Sequence, residues 1–257
     1  MFTLADHLVH VEGDALPREL DAQALRALLT RQVACRAPIA GAVYGVLLND
    51  RAALDALGDA MHEAPYKAPP NAPVLYLKPR NTLAGHRTSV AIPADADGIE
   101  IGASLGIVLG RTATRVRIED ALDYVAGYTA VADLSIPHAS VYRPSVRFRA
   151  RDRFCVIGPA LVAKRHLPNP DSVAIRVNVK GRPSFEATTA TAIRHVARLL
   201  ADVTDFMTLA PGDILTLGVP HGAPVARAGD EADIDIGDMA PLHVSFVDGS
   251  KLAGDTP

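Results

Sequence analysis

Apolar residues recur along the chain at two different periods. From Leu20 to Gln32, Leu20, Ala24, Leu25, Leu28 and Leu29 fall at helical spacing, Pro38 ends that pattern, and Ile39 to Leu48 reads as a buried strand. A short helix is predicted from Arg51 to about Met61. The stretch from Ala64 to Pro73 carries four prolines in ten residues, so it is an irregular loop that delivers a strand at Val74 to Leu77.

Beyond Ile99 the pattern turns mostly β, with strands predicted at Ile99–Leu109, Tyr124–Asp133, Val156–Ala163, Val173–Val179, Asp213–Leu217, Asp233–Ile236 and His243–Val247. One long helix interrupts them, with Thr189 as its expected N-cap and Ile193, Val196, Ala197, Leu200 and Val203 as its apolar stripe. The fold class is therefore α+β: a mixed, strongly twisted β domain over residues 86–257, preceded by a smaller α/β part over residues 1–85.

The strand Ile99–Leu109 is the most informative. Its odd positions are apolar throughout and face a core, whereas its even positions read Glu100, Gly102, Ser104, Gly106 and Val108. Such small side chains suit sheet curvature and packing, or room for a ligand. Asp133, at the end of an otherwise apolar strand, needs a partner. It either caps the turn through Ser135 and Pro137 or belongs to a metal site. The basic run Arg143 to Arg153 alternates, which predicts a solvated strand face, with recognition of a di- or tricarboxylate as the other reading.

Composition narrows the functional classes. The 257 residues carry 26 basic and 29 acidic side chains, a net charge of −3 without charged blocks, so neither nucleic acid nor an anionic membrane is an expected partner. The longest apolar run, Ala37 to Leu48, is short of the roughly 20 residues of a membrane span, and the N-terminal residues lack a signal-peptide pattern. A cytoplasmic location is expected. Cys35 and Cys155 are expected to be reduced core residues, and His62-Glu63 lacks the second histidine of a helical zinc motif. Dinucleotide binding is not supported, and a serine nucleophile on a strand-to-helix elbow is not expected.

Three segments taken in order resemble the fumarylacetoacetate hydrolase family, from about residue 41 onward. They are Leu77-Lys-Pro-Arg-Asn-Thr82, then Ser104-Leu-Gly-Ile-Val-Leu-Gly110 continuing through Ala121 to Asp133, and Phe206 to Gly222. Within the family, Ala64-Pro-Tyr-Lys-Ala-Pro-Pro70, Tyr142-Arg-Pro144 and Arg151-Asp-Arg-Phe-Cys155 are similar to the first half of isomerase/decarboxylases of 4-hydroxyphenylacetate degradation, in which two homologous halves occur fused or as separate subunits.

The resemblance implies a divalent cation, Mg²⁺ or Mn²⁺, held by two glutamates on one strand and an aspartate on the next, gripping the 2-oxo-carboxylate end of a substrate. Here the glutamate positions are Gly102 and Ser104, and only Asp133 remains. The position of the family's histidine is near Ala53, that of its pocket lysine is Arg149, and that of its threonine is Val219.

The expectation is a subunit of the isomerase/decarboxylase with a degenerate site and weak or absent metal. Arg149 would be catalytic, with Lys78, Tyr142 and Arg143 contacting a small di- or tricarboxylate. The partner would be a homologous second-half subunit or a second copy in a homodimer. Alternatives are a catalytically silent structural partner of a metal-bearing half and, more weakly, an acylpyruvate-type hydrolase.

Overall fold

A computed structural model of the chain describes residues 2–39, 41–138 and 145–249. Sixteen strands alternate with short helices. The first half holds β1 (His7–Val11), β2 (Arg18–Leu20), β3 (Cys35–Arg36), β4 (Val43–Leu47), β5 (Val74–Lys78), β6 (Leu83–Gly85), β7 (Thr88–Ile92) and β8 (Ile99–Leu109). The second holds β9 (Val125–Ser135), β10 (Cys155–Ala163), β11 (Ala174–Val179), β12 (Phe185–Thr188), β13 (Ile214–Thr216), β14 (Val225–Ala226), β15 (Glu231–Ile236) and β16 (Leu242–Asp248). The α-helices are α1 (Ala22–Leu29), α2 (Arg51–Asp55), α3 (Val146–Arg149) and α4 (Val196–Phe206).

The strands form two sheets. The larger runs β2-β1-β10-β9-β8-β13-β4-β5, with β14, β3 and β6 attached to β8, β1 and β10; the smaller runs β12-β11-β15-β16-β7. Strands on both sides of residue 85 share the larger sheet, since β1 pairs with β10 and β4 with β13. The odd positions of β8 and the even positions of β9 enter one core with Ile175 and Val177 of β11, Ile234 of β15 and Val244 of β16, so the small sheet covers this face of the large one. The opposite face of β8 to β10 is covered only in part by apolar residues, among them Val108, Val131, Ile157 and Ile214. Where that apolar cover ends, the functional site begins.

Several local expectations changed. Helix α4 begins at Val196 rather than after Thr189, because its first free N–H finds a distant cap: Val196 N donates to Asp171 Oδ1 at 2.9 Å. Thr189 is buried and ties a loop together instead, accepting from Val173 N and donating to Pro170 O. The described part of the arginine run, from residue 145, is not a strand: Phe148 N and Arg149 N both donate to Ser145 O, which makes one helical turn and turns Arg149 inward. The helix at Arg51 ends at Asp55 and is followed by a 3₁₀ turn over Gly58–Met61. Both cysteines are buried free thiols, with burial pushing Cys35 up to about 11 and Cys155 up to about 12. No helix among the described residues is long and apolar enough to cross a membrane.

Ile101 is fully buried between the two sheets, so Ile101→Ala should cost about 2–5 kcal/mol of unfolding free energy. Glu186→Ala on the exposed edge strand β12 should stay within about 0.5 kcal/mol of wild type, both read from urea titrations.

Candidate functional site

The site is built on the pairing of β8 with β9. Gly102 lies directly opposite Asp133, Ser104 opposite Val131 and Glu100 opposite Ser135, so these side chains share one face. Cys155 of β10 continues the row beyond Asp133. The sheet then curls through β13 and β4 until its edge strand β5 lies back over this face. Tyr76 and Lys78, two residues apart and therefore on one side of β5, both reach Asp133.

Lys78 Nζ sits 2.6 Å from Asp133 Oδ1, and both side chains are fully buried. Its three N–H groups donate to Leu134 O at 2.7 Å, Phe154 O at 2.9 Å and Arg149 O at 3.1 Å, so the contact with Oδ1 is a charge pairing and not a further hydrogen bond. The Tyr76 hydroxyl donates to Asp133 Oδ2. Burial, followed by the Asp133 charge, holds the Tyr76 phenol well above its ordinary range, so it remains a donor. Arg149 lies over the Tyr76 ring at 4.7 Å, donates to its hydroxyl at 3.3 Å and comes within 3.8 Å of Asp133 Oδ1. Desolvation acts against the Arg149 charge, but Tyr76, Asp133 and Glu100 together outweigh it.

This arrangement bears on whether the three family positions fit a cation. A divalent ion held by oxygen needs several free carboxylate or carbonyl oxygens, and here the one carboxylate is already matched by Lys78, Tyr76 and Arg149. Ser104 is also engaged, donating to Gly218 O at 2.8 Å. A Cβ at Gly102 would lie 2.6 Å from Asp133 O and 2.8 Å from a Val219 methyl. The donor set does not fit Mg²⁺ or Mn²⁺. Gly45 shows the same filling from the other side: it opposes Tyr76 in the β4–β5 ladder, and a Cβ there would penetrate the Tyr76 ring at 2.1 Å.

Outside this cluster opens a cavity of about 400 Å³. Ala53, Arg149 and Val219, the positions singled out by sequence, all line it, together with Tyr76, Glu100, His138 and His221. Asp133, Gly102, Ser104 and Lys78 do not: they lie on the same side of the sheet but beneath the cavity floor. Lys78 accordingly has no path to a substrate, contrary to the carboxylate-contacting role expected of it. Tyr142 and Arg143 lie outside the described residues.

Sequence reasoning missed Tyr76, His138 and His221. Tyr76 was signalled by its i, i+2 relation to Lys78, and His221 by its place in the Val219-Pro-His-Gly222 segment. The segment Gly102-Ala-Ser-Leu-Gly106 does carry Gly-x-Ser-x-Gly spacing, yet it runs through the interior of β8 with Ser104 fully buried, so it is no nucleophile elbow.

Two measurements follow from this chemistry. Lys78→Met strands a buried carboxylate and should destabilise the fold by about 3–5 kcal/mol, while adding Asp133→Leu should recover much of the loss in a double-mutant cycle. Burial raises the Glu100 carboxyl above its ordinary 4.5, with Arg149 and His138 pulling it back. The folded state thus holds that proton more tightly than the unfolded chain. Stability from this group is complete below 4.5 and declines as pH rises through the raised value. Glu100→Gln should remove that decline, so the variant gains on wild type as the pH of the unfolding titration rises from 4 toward 7.

The fumarylacetoacetate (FAA) hydrolase C-terminal family matches residues 42–247. The chain is 38% identical over 208 residues to the 4-hydroxyphenylacetate degradation bifunctional isomerase/decarboxylase of Escherichia coli, covering 81% of this chain and 47% of that protein. It is 37% identical to the homoprotocatechuate catabolism bifunctional isomerase/decarboxylase of the same organism, again covering 81% of this chain and 48% of the relative. The chain thus spans about half the length of the curated relatives it matches. Among solved structures, 5-carboxymethyl-2-hydroxymuconate delta-isomerase of Mycobacterium smegmatis superposes with a TM-score of 0.72 at 29% identity, covering 85% of this chain and 81% of that one. With the family match running from β4 into β16, over the strands that carry Asp133, Lys78 and the cavity, this chain belongs to the fumarylacetoacetate hydrolase family.

Proposed function

We propose that the chain is a subunit of an isomerase/decarboxylase of 4-hydroxyphenylacetate degradation in which an internal ion pair has replaced the metal. The single observation that carries this reading is Lys78 Nζ at 2.6 Å from Asp133 Oδ1, a fixed positive charge where the family resemblance implies a cation. Sequence similarity to the bifunctional enzymes supplies the reaction class. Substrates of this class are 5-oxopent-3-ene-1,2,5-tricarboxylate and 2-hydroxyhepta-2,4-diene-1,7-dioate. In this reading the metal-dependent step belongs to a homologous half with its glutamates intact, or to an assembly containing one.

The cavity of this chain retains the means to bind a small carboxylate. Arg149 is held rigidly over Tyr76 with one edge toward the cavity, and a guanidinium in that setting pairs with a carboxylate in two parallel hydrogen bonds. His138 and His221 add two further polar contacts, and Glu100 faces them as the acidic member of the lining. Arg149 is the group that would neutralise charge developing on a bound enolate, and Tyr142 and Arg143 remain proposed contacts for the distal carboxylate. A second reading, a catalytically silent structural partner, is favoured by the degree to which Tyr76 and Val219 fill the former ligand space. An acylpyruvate-type hydrolase is disfavoured, because neither Ala53 nor Val219 can activate water.

Decarboxylation by the isolated chain should be orders of magnitude slower than by the chain mixed with its second-half homologue, and chelator should leave the isolated rate unchanged. Removing the partner's metal ligands should abolish turnover of the mixture, whereas Arg149→Met should raise the Kd of this chain for an unreactive dicarboxylate analogue. Efficient turnover by the isolated chain that chelator abolishes would overturn the reading. Gly102→Glu with Ser104→Glu should not create a metal site, since the added side chain meets Asp133 O and Val219.

A further inference from the structure

On the far side of the molecule, where β1 meets the end of β10, a second group of ligating side chains converges. We propose that Asp6, His7 and His166 form a binding site for a late first-row divalent cation, of which Zn²⁺ is the representative. Asp6 Oδ1, His7 Nδ1 and His166 Nε2 all lie within 4.8 Å of one another. Asp6 Oδ1 is 2.5 Å from the first nitrogen and 3.2 Å from the second. Neighbouring ligands of a tetrahedral zinc ion stand roughly 3.3 Å apart; the Asp6–His166 edge already fits, the Asp6–His7 edge needs to open by under an ångström, and the two nitrogens lie within 4.8 Å of each other.

Two independent observations point to a ligand rather than to a simple ion pair. Although they lie close together, Asp6 Oδ1 and His7 Nδ1 are both buried without a hydrogen bond of acceptable geometry. The His7 side chain, 11% exposed, is also carried on a strand whose backbone is fixed by pairing. His7 pairs with Val162 in the β1–β10 ladder, and Ala163 N donates to Asp6 O at 2.9 Å. His166 follows on the 3₁₀ turn Lys164–His166 that closes β10, its ring stacked on that of His7 at 5.1 Å.

Two imidazoles and one carboxylate select zinc, nickel or copper over magnesium and calcium, which prefer oxygen alone. His166 and Asp6 are partly open to solvent, leaving a position for water. The ion would staple the first strand to the turn after β10. Sequence spacing gave no sign of this site, because Asp6 and His7 open β1 while His166 follows β10, far along the chain and brought near only by the ladder.

The test uses the full-length, untagged chain stripped with chelator and titrated with Zn²⁺ by calorimetry, with Co²⁺ absorption as a spectroscopic readout. Wild type should bind one ion per chain, raise its Tm on binding, and give a Co²⁺ spectrum of low-coordinate nitrogen and oxygen ligation. His166 is exposed, so His166→Ala should fold normally. It should bind at least roughly tenfold to hundredfold more weakly, since even partners behind a ligand are worth that much. Arg165→Ala should tighten binding, because its guanidinium stands 3.8 Å from Asp6 Oδ2 and competes for the carboxylate. Absence of binding by wild type, or equal affinity in wild type and His166→Ala, would overturn the proposal.

Discussion

The architecture around the cavity rests on how a lysine and an aspartate are buried together without water. Removing two opposite charges from solvent is unfavourable unless nearly every donor and acceptor finds a partner. Lys78 meets that demand by spending its three hydrogens on the carbonyls of Leu134, Phe154 and Arg149 while facing Asp133. Those carbonyls belong to β9, to the approach to β10 and to α3. One ammonium group therefore holds the edge strand β5 against the centre of its own sheet, and the curl of that sheet is what encloses the cavity. Stability and site shape share a single cause.

The same cluster sets the electrostatics above it. Tyr76 separates Asp133 from the cavity, and Arg149 bridges the two levels, contacting the phenol and the carboxylate below while lining the space above. Glu100 experiences that guanidinium along with the desolvation of its own site. The cavity thus presents a cation, two imidazoles and a weakened acid, with apolar Ala53 and Val219 between them. That lining is what the proposed binding of a small anion rests on.

Sequence alone revealed β8 to the residue, because apolar residues at every odd position over eleven residues, with mostly small residues between, have no competing helical reading. The even face stood out in sequence for its small residues, and the structure places Gly102 and Ser104 there, opposite Asp133 and Val131. What occupies the space was not legible. Tyr76 and Lys78 are four strands from Asp133 in the order of the sheet, and no local pattern announces that a sheet will curl far enough to join them. Thr189 failed as a cap because Asp171, distant along the chain, outcompeted it. The alternating run read locally as a solvated face, whereas only the family resemblance placed Arg149 in a pocket; one helical turn from Ser145 turns it inward.

The fit between Tyr76 and Gly45 bears on which sequence changes remain open to this fold. A ring occupies the hollow that a missing side chain leaves, and a valine at 219 presses on the place where a residue at 102 would begin. A larger residue at 45 collides with the Tyr76 ring, and one at 102 with Val219 and Asp133 O. A ligand strand could be restored only by several simultaneous replacements, each harmful by itself, so the path is blocked at its first step. Packing of this kind acts as a ratchet: the space beside Gly45 and Gly102 is held by the side chains that fill it.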